Sequence, residues 1–317
     1  MKAEPEALAK GVLAGSRAAL GQAITLLESE RRAPDAARLL ELLGSAPKGR
    51  PTVRVGLTGV PGVGKSTLIE ALGLELLGRG HRVAVLAIDP SSPRHGGSIL
   101  GDKTRMPRLA RETGAFIRPT PSGGTLGGVH RKTRHAIRAV EAAGFDVILV
   151  ETVGVGQSEV SVADMVDVFV VLLLPNAGDD LQGIKKGLIE VADLLAVGKA
   201  DLDAAAARRS ARDYVAALRL LHREDTEVPV YSGATGEGVA ALWSTVMGRV
   251  DDARASGAFD ARRRSQEVAW FRALVRDGAL ERFYGERGRA ELIKAAAATV
   301  GAGVETPLTA ALRVLTI

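Results

Sequence analysis

The chain has 317 residues, 46% hydrophobic and 25% charged but only 3% aromatic, which is room for one large α/β domain with helical additions; its core has to be built from Leu, Val, Ile and Ala, as in buried parallel sheets. With no cysteine at all, disulfides, thiolate metal sites and cysteine nucleophiles are excluded. The formal charge of +5 is interleaved with acids along the chain and lacks neighbouring aromatics, so it fits a preference for phosphates and argues against a nucleic-acid-binding face.

Residues 4–44 predict helices, because Leu8, Val12, Leu13, Leu20, Ile24 and Leu27 recur at helical spacing and LLELLG closes on a glycine. The N-terminal stretch carries charges within it and has no long apolar run, so no secretory signal is expected. The longest apolar run, 168–174, is too short to span a bilayer, and the expectation is a cytoplasmic protein without a membrane partner. SAPKGRP at 45–51 breaks the helical pattern and reads as a linker.

From residue 52 the period changes. Continuous β-rich runs at 53–57, 82–88, 145–151, 166–174, 194–197 and 228–232 alternate with crossover lengths. That pattern predicts a doubly wound, mainly parallel α/β sheet, whose ligands sit at the carboxyl ends of the strands. The tail from 259 returns to helix and places Val268, Phe271, Leu274, Val275 and Leu280 near one face. Such a face either packs on its own domain or forms an arm exchanged with a second subunit. The expected organisation is an N-terminal helical extension at 1–50, a nucleotide-binding domain at 51–255 and a C-terminal helical extension at 256–317.

Right after the first run, Gly59, Gly64, Lys65 and Ser66 fit G-x-x-x-x-G-K-[ST], with a helix opening at STLIEALG. Glycines let backbone amides converge on phosphate oxygens, and the helix N-terminus adds partial positive charge. Lys65 supplies a full charge for the β- and γ-phosphates, and the Ser66 hydroxyl suits Mg2+. Triphosphate binding follows from this context.

Three acids stand where the following strands end: Asp89, Glu151 and, in the loop GGSILGDKTRM, Asp102. Mg2+ keeps most of its water and takes few protein ligands, so carboxylates facing a phosphate loop suit the ion or its waters, or the attacking water. With Lys65 they make up the expected catalytic set. Glu151-Thr152-Val153-Gly154 has the layout of a switch turn in which the Gly154 amide meets a γ-phosphate. Gln157 is a further candidate for positioning the water.

GKAD at 198–201 occupies the slot that reads N-K-x-D in GTPases. A carboxylate at Asp201 accepts from guanine N1–H and the exocyclic amine, a donor pair that adenine lacks, while the Lys199 stem lies along the base. Gly198 removes the Asn side chain, and Gly198→Asn is therefore expected to tighten nucleotide binding, on the order of 1–3 kcal/mol. The turn YSGATGEG at 231–238 follows the last run and offers Gly233 and Ala234 amides to guanine O6.

Taken together, GLTGVPGVGKSTLIEALG, LAIDPSSPRHGGSILGDKTRM, FIRPTPSGGTLGGV, DVILVETVGVGQSE, LPNAGDDLQGIKKG and GKAD resemble the MeaB/MMAA family of P-loop GTPases, also known as ArgK, over roughly residues 5–285. The resemblance implies a SIMIBI-class GTPase that acts as chaperone to the cobalamin-dependent methylmalonyl-CoA mutase or a related acyl-CoA mutase, gating cofactor loading and protecting the enzyme. It implies GTP/GDP bound by Gly59, Val60, Pro61, Gly62, Val63, Gly64, Lys65, Ser66, Thr67, Asp201, Ser232, Gly233 and Ala234, with Mg2+ surrounded by Ser66, Asp89, Asp102 and Glu151. It also implies a homodimer formed through helical extensions. The segment 176–186, bounded by Asn176 and Lys186, resembles the family's additional switch loop, in which Asp179, Gln182 and Lys185 link partner to nucleotide. Gly198 and the C-terminal tail depart from the family pattern.

Two other readings compete. A small-molecule kinase of the amino-acid-transport type needs a base and a lid over the phosphates, and no dedicated lid with clustered arginines is evident beyond Arg105, Arg108 and Arg111. A nickel-delivery GTPase needs Cys and His ligands, and this chain has five scattered histidines and no cysteine.

Overall fold

Apolar runs that lack polar alternation leave neither face for water, and in the computed structural model they become strands covered on both sides. The structure describes residues 4–45, 51–89, 105–121, 126–152, 162–175, 186–220 and 227–316. Strands β1 (Val53–Gly59), β2 (Val83–Asp89), β3 (Ala115–Pro121), β4 (Val147–Thr152), β5 (Val168–Leu173) and β6 (Leu194–Val197) form one parallel six-stranded sheet in the order β3-β2-β4-β1-β5-β6. Because β1 lies between β4 and β5, the chain crosses to opposite sides around it, and the crevice at the carboxyl ends opens there.

Two sequence expectations need correction. The run 228–232 forms no regular strand: Val230 makes only an isolated bridge to Val197. Conversely β3 was not foreseen as a strand. Pro119, Pro121 and Arg118 interrupt its apolar pattern, and proline is tolerated there because β3 is an edge strand pairing only with β2.

The described helices are α1 (Pro5–Leu13), α2 (Arg17–Leu27), α3 (Ala33–Gly44), α4 (Lys65–Gly78), α5 (Leu126–Ala142), α6 (Lys186–Val191), α7 (Ala204–Leu220), α8 (Val239–Ala255), α9 (Ala258–Gly285), α10 (Arg289–Gly301) and α11 (Pro307–Thr316). Leu20, Ile24 and Leu39 of the N-terminal helices join α5 and the alternate strand residues Leu86, Val150 and Phe169 in one core. On the other face, Leu57, Val85 and Val170 meet Leu68 and Ile69 of α4 and Leu242 and Trp243 of α8. No helix among the described residues is long and apolar enough to cross a membrane.

The chain divides into two compact units, Met1–Arg263 and Arg264–Ile317. In the second, α10 and α11 enclose Ala296, Ala310 and Val314, and Arg289 donates to the Val314 carbonyl at 2.7 Å while pairing with Glu286. Val268, Phe271, Leu274, Val275, Leu280 and Tyr284 are exposed.

At the sheet's amino-terminal edge two acids are paired with arginines. Arg54 grips Glu141 through two bonds, at 2.7 and 2.9 Å, and Arg263 grips Asp167 at 2.8 and 2.7 Å. Burial alone would push the Glu141 carboxyl up, but the Arg54 guanidinium outweighs it and holds the group below its ordinary value. The Asp167 Oδ2 that Arg263 holds also accepts from the Arg54 amide at 2.7 Å, so these acids hold the fold together at the end away from the crevice.

His135 on α5 has its imidazole Nδ1 3.5 Å from the Leu27 carbonyl. Burial, partly countered by that carbonyl, pushes its pKa down to about 4. The folded protein therefore binds fewer protons than the unfolded chain below the ordinary histidine value. Stability is expected to fall as pH drops from 6.5 toward 4, with His135 costing on the order of 2 kcal/mol at the acid end after allowing for partial exposure. Urea midpoints measured across that range should flatten in His135→Gln; an unchanged acid slope would remove His135 as its source.

Candidate functional site

The crevice takes shape where β1 runs out. Its neighbours there are Glu151 of β4, in register with Leu57, and Leu172 of β5, in register with Gly59. From Gly59 the chain turns through Val60, Pro61, Gly62 and Val63 to Gly64, the N-cap of α4, whose φ of 97° is one that a side chain strongly disfavours. Lys65, Ser66 and Thr67 then form the first turn of α4, so their amides point toward the crevice along with the positive end of the helix.

Lys65 is buried, and its ammonium donates to the carbonyls of Gly59 at 2.7 Å and Val60 at 3.2 Å. It thus folds back across the mouth of the loop, with the charge held at the place a phosphate would take. The Ser66 hydroxyl donates to the Glu151 carboxylate at 3.0 Å, and Glu151 is buried. Beneath this pair the Thr152 hydroxyl donates to Thr58 at 2.7 Å and locks β4 to β1. Ser66 and Glu151 bring two hard oxygen donors together at the carboxyl edge, which suits Mg2+ and its waters. Asp89 ends β2 one residue beyond the Ile88–Thr152 register pair, next to the same edge. Among the described residues no group of three or more His, Asp or Glu is arranged to hold a metal ion.

Asp102, Gly154, Gln157, Asp179, Gln182 and Lys185 lie outside the described residues. The chain re-enters just after Asp102 and is pinned to α4: Glu70 accepts from the Arg108 amide at 2.7 Å, and Met106 and Leu109 are fully buried beside the helix. Sequence reasoning missed Glu70; as a lone acid on a helix it carries no signal until that contact is seen.

The other end of the crevice is built by the loop after β6. Lys199 has φ 56°, a left-handed conformation unusual for a side-chain-bearing residue, and it turns the chain so that Asp201 is exposed. The Asp201 carboxylate accepts from the Ser232 hydroxyl at 2.6 Å, and Ser232 is fully buried. Ser232 therefore orients the acid. Its neighbour Gly233 faces α4: a Cβ at Gly233 would lie 2.9 Å from the Leu68 amide nitrogen, so this turn sits tightly on the first turns of the phosphate-loop helix. Unlike Glu141 and Asp167, Asp201 is held by a hydroxyl and stays open to solvent on its outer side.

Gly198 has a neighbour that its identity does not reveal. A Cβ there would lie 2.8 Å from the Tyr231 hydroxyl oxygen and 2.9 Å from its Cζ. The space that a Cβ would need is already filled by the tyrosine. Tyr231 carries no signal of this role in the sequence, where it is only the first residue of the 231–238 turn and near the end of an expected strand.

Comparisons with known proteins show the family. The family model described as methylmalonyl Co-A mutase-associated GTPase MeaB matches residues 20–287. The chain is 56% identical over 282 residues to a putative GTPase of Caulobacter vibrioides, covering 86% of this chain and 85% of the relative. It is 48% identical to the mitochondrial methylmalonic aciduria type A homolog of Mus musculus, covering 86% of this chain and 69% of that one. A crystal structure described as an LAO/AO transport system kinase superposes with a TM-score of 0.76 at 34% identity, over 98% of this chain and 96% of that chain.

Proposed function

The chain belongs to the MeaB family of GTPases, and from that premise we propose that it hydrolyses GTP to switch its contact with a cobalamin-dependent acyl-CoA mutase, methylmalonyl-CoA mutase or a close relative. In this reading it gates cofactor loading and protects the mutase. The observation that carries the switch is the Ser66–Glu151 bond of 3.0 Å. It joins the phosphate loop to the last residues of β4, so occupancy at Ser66 is felt directly where the chain leaves the sheet toward Gly154. The mutase as partner is supported by the family's description and by the naming of the mouse relative.

The loop from Gly59 to Thr67 holds the phosphates, with Lys65 on the β- and γ-groups. Ser66, Asp89, Asp102 and Glu151 would hold Mg2+, which would supply positive charge against the charge developing on the phosphates. Asp201, set by Ser232, accepts from guanine, Lys199 lies along the base, and Gly233 and Ala234 approach it from the opposite loop. The segment 176–186 meets the mutase, and the exposed apolar stripe from Val268 to Tyr284 is the dimerising surface.

The test is retention of purified mutase on the immobilised chain, loaded with a non-hydrolysable GTP analogue or with GDP. Retention differing at least several-fold between the two states is expected. If mutase is held in neither state, the chaperone reading fails. Incubation of the protein with labelled GTP and basic amino acids separates the kinase reading, which requires a phosphorylated amino-acid product; free phosphate alone is expected.

A further inference from the structure

We propose that Tyr231 and Gly198 act as one positioning unit, in which the tyrosine ring, supplied by the loop preceding α8, takes the place of the side chain missing after β6 and sets Asp201 for the base; this rests on the guanine-nucleotide reading above. Four contacts converge on the turn. The ring fills the space over Gly198, with the hydroxyl oxygen 2.8 Å from where a Cβ would stand. The Tyr231 amide donates to the Val197 carbonyl at 2.9 Å, and its carbonyl accepts from the Ala200 amide at 3.1 Å. The next residue, Ser232, donates to Asp201 at 2.6 Å. One short segment thus grips the base-reading turn before, over and after Gly198.

The ring is enclosed. Tyr231 is only 2% exposed, and its side chain belongs to the core shared with Leu68, Val239 and Leu242. Its backbone is tied to Val197 and Ala200 of the loop it braces. The hydroxyl is buried with no hydrogen-bond partner among the described residues, a cost that pure packing would avoid with Phe. Burial pushes its pKa well up, so it stays neutral. An Asn at 198 and a Tyr at 231 compete for one volume, and this chain carries the tyrosine.

The consequence is a reversal of sign, which a double-mutant cycle reads directly. In the parent protein Gly198→Asn is expected to weaken GDP binding about 10-fold, because the added side chain drives the ring off the turn. Gly198→Ala, which adds only the Cβ, is expected to weaken it in the same direction. Tyr231→Ala alone should also weaken binding several-fold, yet in that background Gly198→Asn should tighten GDP by about 10-fold. Discrimination of GDP from IDP, which lacks the exocyclic amine read by Asp201, should fall in each single variant and return in the double one. A general loss of stability would not restore it. If Tyr231→Ala unfolds, Tyr231→Leu leaves a smaller cavity and serves the same cycle. Equal effects of Gly198→Asn in both backgrounds, or unchanged GDP/IDP discrimination, would overturn the proposal. A parent protein that binds no GDP at all would instead sink the guanine reading.

Discussion

Lys65→Ala is expected to lower GTP hydrolysis roughly 100- to 1,000-fold, the loss seen when one charge-stabilising group is removed from a transition state. The structure shows how this charge is placed. The ammonium is buried and anchored by the carbonyls of Gly59 and Val60, so its charge is delivered at a fixed point of the loop instead of sweeping through solvent. Alanine leaves the two carbonyls facing the site where phosphate oxygens arrive, replacing attraction by repulsion between acceptors. The helix N-terminus and loop amides remain, so nucleotide binding should weaken less than catalysis. Phosphate release under saturating GTP and the GDP dissociation constant are the two measurements. A melting temperature close to the parent's would confirm that the fold is intact. Hydrolysis within a few-fold of the parent would sink the assigned role of Lys65. If the switch reading holds, the same variant should retain mutase equally with either nucleotide.

Asp201→Asn should exchange the base. In the proposed reading the carboxylate accepts two donors from guanine; a carboxamide would accept one and turn a donor against the other. Hydrogen bonds to a charged group are worth about 1.5–3 kcal/mol, so GDP affinity should fall roughly 10- to 150-fold. Xanthine carries a carbonyl where guanine has its amine, so the same variant should gain affinity for XDP by a comparable factor. The Ser232 hydroxyl, which donates at 2.6 Å, can still orient the new side chain by donating to its carbonyl oxygen. Competition of GDP and XDP for a fluorescent nucleotide checks both arms. A uniform loss with no gain for XDP would mean that Asp201 shapes the loop without reading the base.

Much of this site was legible because phosphate chemistry acts through a short contiguous stretch. Gly59 to Thr67 lie within one turn from strand into helix, and their spacing alone specifies amides, a lysine and a hydroxyl around one point. The strand-end acids were legible for a related reason: continuous apolar runs end where the sheet ends, and Glu151 and Asp89 stand at those ends. What failed was each inference that needed to know what lies across space. The strand at 115–121 broke the apolar pattern because an edge strand tolerates proline and arginine. Asp167 and Glu141 gave no hint of their arginines, which come from residues far apart in the chain.

Gly198 marks the boundary most sharply. By itself the sequence determined that a carboxylate follows β6, that a phosphate loop follows β1, and that both open on one edge of a parallel sheet, since these depend on local periodicity and on the direction shared by parallel strands. It could present Gly198 only as a missing asparagine. Only the tertiary structure decided that the vacancy is filled, because the ring that fills it arrives from Tyr231, more than thirty residues along the chain, and close packing admits one occupant to a volume whatever order the residues take in the sequence.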